Sequence, residues 1–225
     1  MTNKERILQI TDKNKDRRLR KIIAQLHKNY IIQTALPSDS SFPTSDELVN
    51  IIVPAKDQTN KIAIMGHWDV FPGSSGFNDN SSGIVTLLKL QDCLPNNVEL
   101  VFTDGEEHGG TGCQYYLENF PTPKEAINVD VVGLGDKIFY EMYGKVTTFK
   151  VPTDAELYSH IPFSDSYILQ NYGVPNILLL TGRSKLCLIE NIFHAQHCGK
   201  DDGKIDMISE DIMDRVFQAI MNIIR

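Results

Sequence analysis

The sequence predicts an α/β fold with a largely parallel sheet, and three observations carry that prediction. Short apolar runs alternate with segments of helical periodicity, polar residues follow several of these runs, and no internal repeat or low-complexity tract interrupts the order. Alternation of strands and helices is typical of a sheet covered by helices. A chain of 225 residues, 41% of them hydrophobic, is long and apolar enough to bury the core of such a fold.

The first half of the chain begins with an amphipathic helix. Apolar residues at helical spacing predict it over residues 15–30, and the Ser-, Pro- and Asp-rich stretch 33–47 predicts a loop. Two strands follow, then a helix capped by Asn80 or Ser81, then a third strand. In order, these elements cover residues 49–55, 61–66, 81–93 and 97–103.

The second half continues the alternation with a short helix, two strands, a helix stopped by Gly173, a strand and a final amphipathic helix. These elements cover residues 111–119, 126–133, 137–143, 164–173, 176–182 and 209–224. The 33–47 loop is the best candidate for a domain boundary, but the residues before it are too few to form a domain. We therefore predict a single domain over residues 1–225, with the N-terminal helix and loop of 1–47 as part of it.

Charge and composition exclude several classes of partner. The net charge of −7 argues against nucleic acid, because phosphate binding needs clustered Lys and Arg. One basic run, KDRRLRK at 15–21, falls on the predicted first helix, where we interpret it as a solvated face. The N-terminus has no signal-like apolar region, and no stretch approaches the ~20 apolar residues that cross a bilayer. We expect no membrane partner and a cytoplasmic protein.

Acids and histidines gather where predicted strands end. In open α/β sheets, ligands bind beyond the carboxyl ends of the strands, so this placement indicates a site. The residues concerned are His67, Asp69, Asp79, Asp104, Glu106, Glu107, Asp130, His194 and His197.

Asp130 has the most informative neighbours, because apolar residues flank it in the run 127–132. A buried carboxylate is costly unless it is paired or binds a metal. Three explanations are open: an ion pair with Lys or Arg, a position just past the end of the strand, or a metal ligand.

The set of donors favours zinc. It contains imidazoles and carboxylates, and the four cysteines form no CxxC pair. Two metals about 3.5–4 Å apart would need roughly this many acids, one of them bridging. Glu106 and Glu107 are adjacent, and neighbouring side chains of an extended segment point in opposite directions, so one can bind metal while the other moves protons.

Four segments carry a resemblance to a known family. GHWDVFPGSSGFNDNSSGIVTLLKL resembles the metal-binding segment of the co-catalytic zinc aminopeptidases, and FTDGEEHGGTGCQYYLEN resembles their Glu-Glu segment. INVDVVG is similar to their Asp-bearing strand, and SDSYILQNYGVPNILLL to the stretch before their last ligand. The match runs from about residue 60 to the C-terminus in the expected order. It implies a three-layer αβα sandwich with a mixed, mostly parallel central sheet.

The resemblance also implies a role for each matching residue. His67 would bind one zinc, Asp79 would bridge two, Glu107 would bind one zinc and Asp130 the other. Asp69 would steady the imidazole of His67. Glu106 would be the general base.

The last metal ligand has two candidates. His197, with Asp201 four positions later and ahead of the helix start at Ser209, fits the spacing of the family with about two extra residues. His194 is the rival, because it follows an aromatic residue, as the family's His often does. We favour His197.

The implied activity is release of the N-terminal amino acid from a peptide substrate with a free N-terminus, using two Zn²⁺ ions. A glutaminyl cyclase-like enzyme with a single zinc is an alternative, since these enzymes resemble the family and carry a run like Asp104–Glu107. A metal-free, non-catalytic binding domain is a second alternative. It is disfavoured because every expected ligand position holds a competent residue.

Overall fold

The computed structural model describes residues 1–36, 47–143, 147–159, 163–184 and 204–225. The described residues form six helices, α1 Asn3–Ile10, α2 Lys15–Ile23, α3 Ser81–Leu90, α4 Thr111–Asn119, α5 Asp165–Asn171 and α6 Glu210–Ile223, with a 3₁₀ turn at Ile205–Met207. Their strands are β1 Ile31–Ala35, β2 Leu48–Val53, β3 Ile62–His67, β4 Val98–Thr103, β5 Glu125–Val129, β6 Lys137–Tyr143, β7 Ala155–Leu157 and β8 Asn176–Gly182.

The strands form one sheet in the order β1-β2-β4-β3-β5-β8-β6-β7. The central strands β4, β3, β5 and β8 run parallel to one another. Toward the edges, β2 pairs antiparallel with both β1 and β4, and β6 pairs antiparallel with β8 and parallel with β7. The predicted mixed, mostly parallel sheet is confirmed, and the carboxyl ends of its four central strands lie at one edge.

Helices cover both faces of the sheet, as the resemblance implies. Alternate residues of a strand face opposite sides of the sheet: Ile51 belongs to the core formed with α1, α2, α3 and α6, whereas Ile52 belongs to the core formed with α4 and α5. The two N-terminal helices therefore share a core with the C-terminal helix. This shared core favours the predicted inclusion of the N-terminal segment in the same domain.

Several short elements were missed or placed differently by the sequence reasoning. The helix predicted over 15–30 ends at Ile23, and part of the predicted loop 33–47 belongs to β1, an edge strand whose Ile31 and Ile32 are exposed. The elements α1 and β7 were not predicted, because each is too short to show a period. Residues 126–133 are not one strand: β5 ends at Val129, and Val131 has a left-handed φ of 47° that breaks the extended run.

None of the helices in the described ranges has an apolar stretch long enough to span a bilayer.

A buried ion pair lies near the amino ends of β3 and β4. Lys61 Nζ is 2.7 Å from Glu99 Oε1, and each side chain is 2% exposed. The hydroxyl of Tyr116 on α4 donates to the same carboxylate oxygen. This group links the sheet to α4 at the end of the strands opposite His67.

We expect Lys61→Met to lower the free energy of unfolding by about 3–5 kcal/mol, because it leaves the Glu99 carboxylate buried without its cation. Urea unfolding measures the change. The matched control is Lys137→Met, which breaks the 2.7 Å pair with Glu156 where both side chains are 47% exposed and should change stability little. Equal effects of the two substitutions would contradict the account.

Candidate metal centre

The site is built where the central strands end. His67 is the last residue of β3 and lies opposite Thr103, the last residue of β4. Asp130 follows the end of β5, which pairs with β3 on its other side. The parallel register therefore brings the segments after these strands to one edge of the sheet, as predicted. Of the explanations left open for Asp130, the structure shows the position just past the strand end, and this position also allows Asp130 to be a metal ligand.

His67 is the centre of the cluster and is 2% exposed. Its Nε2 lies 3.0 Å from Asp79 Oδ1 and 3.4 Å from Asp130 Oδ1, and its Nδ1 lies 3.3 Å from Asp69 Oδ1. None of these contacts has hydrogen-bond geometry. Within the described part of the chain, both ring nitrogens and Asp130 Oδ1 are buried without a hydrogen-bond partner.

Asn80 and Gly83 fix the position of Asp79. Asn80 caps α3, as predicted: its Oδ1 accepts from the N–H of Gly83 at 3.0 Å, and its Nδ2 donates to Val129 O at 2.9 Å. A Cβ on Gly83 would lie 2.6 Å from that same Val129 oxygen, so only glycine lets the helix approach β5 this closely. Asp79 is thereby held against the end of β5, next to Asp130.

Asp69 holds the Glu106–Glu107 segment and lies beside the imidazole of His67. Its Oδ1 accepts from the backbone N–H of Glu106 at 3.2 Å, and its Oδ2 from that of Glu107 at 3.1 Å. Glu107 Oε1 in turn accepts from the N–H of Phe71 at 3.2 Å. The predicted positioning role of Asp69 fits these contacts.

The donor set suits a zinc centre. Two groups of ligand atoms, each within 4.8 Å of one another, share His67: one with Asp79 and Asp130, the other with Glu106 and Glu107. One imidazole with several carboxylates is a ligand set that zinc accepts. Coordination to a metal would supply the partner that Asp130 Oδ1 and one of the buried His67 ring nitrogens lack.

The acids make this edge strongly negative. Burial disfavours a charged His67, but the charge of Glu106 and contacts with Asp130, Asp69 and Asp79 outweigh it and raise the pKa of the imidazole well above its usual range. The metal-free cluster therefore attracts a proton. A divalent cation would have to displace that proton to reach the imidazole nitrogen.

The glutamates respond to the same crowding. Burial raises the pKa of Glu106 well above its usual range, with Asp130, Asp165 and Glu107 adding to the effect and His67 opposing it. Burial also raises the pKa of Glu107 to about 9, with Asp79 the largest contributor among the charged neighbours that add to it. Carboxyl groups so placed hold a proton unless a cation compensates them.

Asp165, at the start of α5, belongs to the same cluster and was missed by the sequence reasoning. Its Oδ2 accepts from Thr103 Oγ1 at 2.6 Å, and its Oδ1 is buried without a hydrogen-bond partner among the described residues. Burial raises its pKa to about 7, against the lowering effects of Thr103 and His67. Asp165 lies in the first turn of a short helix of mixed polarity, where acids are common in any helix, so the sequence carries no distinct signal for its role.

A cavity of about 490 Å³ lies beside the site, between the N-terminal segment and the loop 68–74. Of the candidate site residues that the structure describes, Asp69 and Asp104 line it. Lys15 Nζ reaches Asp104 Oδ2 at 2.8 Å next to this cavity. The loop that carries Asp69 therefore has a loosely packed side, and it depends on specific contacts for its position.

The two candidates for the last ligand, His197 and His194, lie outside the described residues, as does Asp201. The choice between the two histidines stays a prediction.

We expect Asp69→Asn to weaken zinc binding by about 10–100-fold, the usual effect of losing a partner behind a ligand. In either orientation, the amide nitrogen of Asn would face the backbone N–H of Glu106 or Glu107. Competition with a chromophoric chelator measures the affinity. The control is Asp57→Asn, an exposed acid that also accepts a backbone N–H, from Thr59 at 2.8 Å. An unchanged zinc affinity of the Asp69 variant would show that Asp69 does not position the metal ligands.

Known structures resemble the chain over almost its whole length. The glutaminyl cyclase of Porphyromonas gingivalis matches with a TM-score of 0.72 at 18% identity, covering 99% of this chain and 95% of that one. A Zn-dependent exopeptidase from Parabacteroides distasonis matches with a TM-score of 0.70 at 17% identity, over 99% and 95%. At these identities the likeness shows the fold alone, and it does not distinguish a cyclase from an exopeptidase.

Sequence comparison identifies the family. A probable leucine aminopeptidase 2 of Aspergillus fumigatus is 30% identical over 95 residues, which is 37% of this chain and 19% of that protein. The chain thus matches about a fifth of the length of this curated relative. Peptidase family M28 matches residues 48–224, from β2 to the end of α6. The chain therefore belongs to peptidase family M28, which confirms the resemblance carried by its motifs.

Proposed function

We propose that the protein is a zinc-dependent aminopeptidase that removes the N-terminal residue of peptides with a two-metal centre. The observation that carries the proposal is the convergence of Asp79, Asp130, Glu106 and Glu107 on the single imidazole of His67. A single ion needs three or four ligands, so two overlapping groups that share one His supply more donors than one ion uses.

The proposed ligands divide between two ions. His67 and Asp130 would hold one, Glu107 and His197 the other, and Asp79 would bridge them. The chemistry that zinc supplies when bound is Lewis acidity, which polarises a scissile carbonyl and activates water near neutral pH.

Glu106 is the proposed general base. It is 4% exposed, and Asp69 holds its backbone N–H at 3.2 Å, so its carboxyl group has a fixed starting point beside the ligands. A raised pKa suits a carboxyl that accepts a proton from water and returns it to the leaving amine. The adjacent Glu107 contacts Phe71 N–H instead, which supports separate roles for the two neighbours.

The proposed substrates are peptides with a free N-terminus. Because the curated relatives are named leucine aminopeptidases, Leu-first peptides are the first substrates to test.

A glutaminyl cyclase activity is the second candidate, since the P. gingivalis cyclase matches the chain over nearly its full length. A single-zinc cyclase would leave one of the two donor groups that share His67 without an ion to bind. This surplus of donors is why we favour the peptidase.

We expect Glu106→Gln to reduce turnover of a leucyl peptide by about 10²–10⁴-fold, because the amide cannot accept the proton. Zinc content, measured by mass spectrometry of the metal, should stay at the wild-type value. Glu107→Gln is the matched contrast, since it should lower zinc content as well as turnover. Near-normal turnover by the Glu106 variant would exclude it as the base.

We expect the wild-type protein, purified without chelators and dialysed against zinc, to hold two zinc ions per chain and to release leucine from a leucyl peptide. Chelation should abolish the activity, and zinc should restore it. One ion per chain, with ammonia released from an N-terminal glutaminyl peptide without cleavage, would instead establish the cyclase. Less than one ion per chain and no turnover would indicate a binding domain.

A further inference from the structure

Arg18 on α2 departs from the interpretation of the basic run as a solvated face. The neighbouring side chains of the run are accessible: that of Arg17 is 69% exposed, and those of Lys15 and Lys21 are 39% and 41% exposed. Arg18 is 2% exposed, among the largest fully buried side chains of the described residues. Burying a guanidinium is costly, so its hydrogen bonds must offset a large desolvation penalty.

The Arg18 guanidinium donates hydrogen bonds to two segments of the metal centre. Its Nε donates to the backbone oxygen of Trp68 at 2.6 Å, and its Nη1 donates to Ser81 Oγ at 2.9 Å. Trp68 stands between His67 and Asp69, and Ser81 stands two residues after Asp79. One planar group therefore joins the segment carrying the central imidazole to the segment carrying the bridging acid.

Hydrogen bonds from several elements fix the position of Trp68. Its N–H donates to Thr103 O at 2.8 Å and its indole Nε1 donates to Val49 O at 2.8 Å, so β4 and β2 hold two of its polar groups. Arg18 holds the third, the carbonyl oxygen. Arg18 lines the same cavity as the loop that follows Trp68.

Ser81 is likewise held from several directions. Its N–H donates to Gly76 O at 3.0 Å, and its Oγ lies 3.3 Å from Thr11 Oγ1 as well as accepting from Arg18. The residues after α1 and the first turns of α2 thus meet the start of α3 where Asp79 precedes it.

We propose that Arg18 is a positioning residue of the metal centre, setting the distance between the His67–Asp69 segment and Asp79 through its hydrogen bonds to Trp68 O and Ser81 Oγ. The inference rests on the proposed metal site but not on the identity of the reaction. A forked guanidinium reaches two acceptors in fixed geometry, whereas a lysine ammonium is a point donor on a flexible stem. Arg18→Lys should therefore keep the charge and lose the alignment.

The test measures zinc affinity of the metal-free protein by chelator competition, alongside its free energy of unfolding without metal. We expect Arg18→Lys and Arg18→Met each to weaken zinc binding by about tenfold or more, as losses behind a ligand do. Arg17→Lys, one position away and 69% exposed, is the control and should leave the affinity unchanged. If the role of Arg18 were purely structural, its substitution would lower the stability of the metal-free protein and leave the zinc affinity of the folded protein at the wild-type value. That result would overturn the proposal, as would full affinity in the Lys variant.

Ser81→Ala keeps the test decisive if the Arg18 variants do not fold. It removes the Nη1 acceptor and leaves the bond to Trp68, so we expect a several-fold weaker zinc affinity in a folded protein. Wild-type affinity in this variant would overturn the proposal. A protein that cleaves no peptide but binds zinc in an Arg18-dependent way would exclude the proposed function and leave this inference standing.

Discussion

The concentration of buried carboxylates around one imidazole is the constraint on which the rest of this structure depends. Burial and mutual repulsion raise the pKa values of Asp79, Glu106 and Glu107, and they leave His67 as the cationic partner within the cluster. One imidazolium cannot balance so many acids if they are all ionised. Divalent cations therefore stabilise such a cluster more than protons do, because each ion brings two positive charges into the same space.

The scaffold keeps these repelling groups together through backbone contacts. The register of β3 with β4 and β5 fixes the starting points of three segments, and Asn80 fastens the fourth to Val129. Close approach requires glycine: a Cβ on Gly112 would lie 2.0 Å from Asp104 O, where α4 begins against the acidic loop. The N-terminal helices pack on the core of the central sheet and reach the ligand-bearing segments from outside it. Stability of the fold and geometry of the site thus use the same contacts.

The sequence predicted the parts of the structure that depend on local pattern. The central strands appear as short apolar runs, α6 shows a clear helical period, and the acids of the site follow strands whose parallel order brings their ends together. Short edge elements such as β1 could not be predicted, because their exposure pattern arises from their position in the sheet. The end of β5 depends on a left-handed Val131, which no propensity indicates. Arg18 was misread because its burial comes from contacts 50 and 63 residues away, and nothing within its own helix distinguishes it from its neighbours.

The central claim is that side chains remote in sequence converge to bind two divalent cations. A crystal structure of the zinc-loaded protein, with anomalous diffraction recorded on both sides of the zinc absorption edge, tests it most directly. We expect two anomalous difference peaks about 3.5–4 Å apart. One should lie within bonding distance of His67 and Asp130, the other within bonding distance of Glu107 and His197, with Asp79 touching both. Peaks only at surface residues, or none at His67, would contradict it.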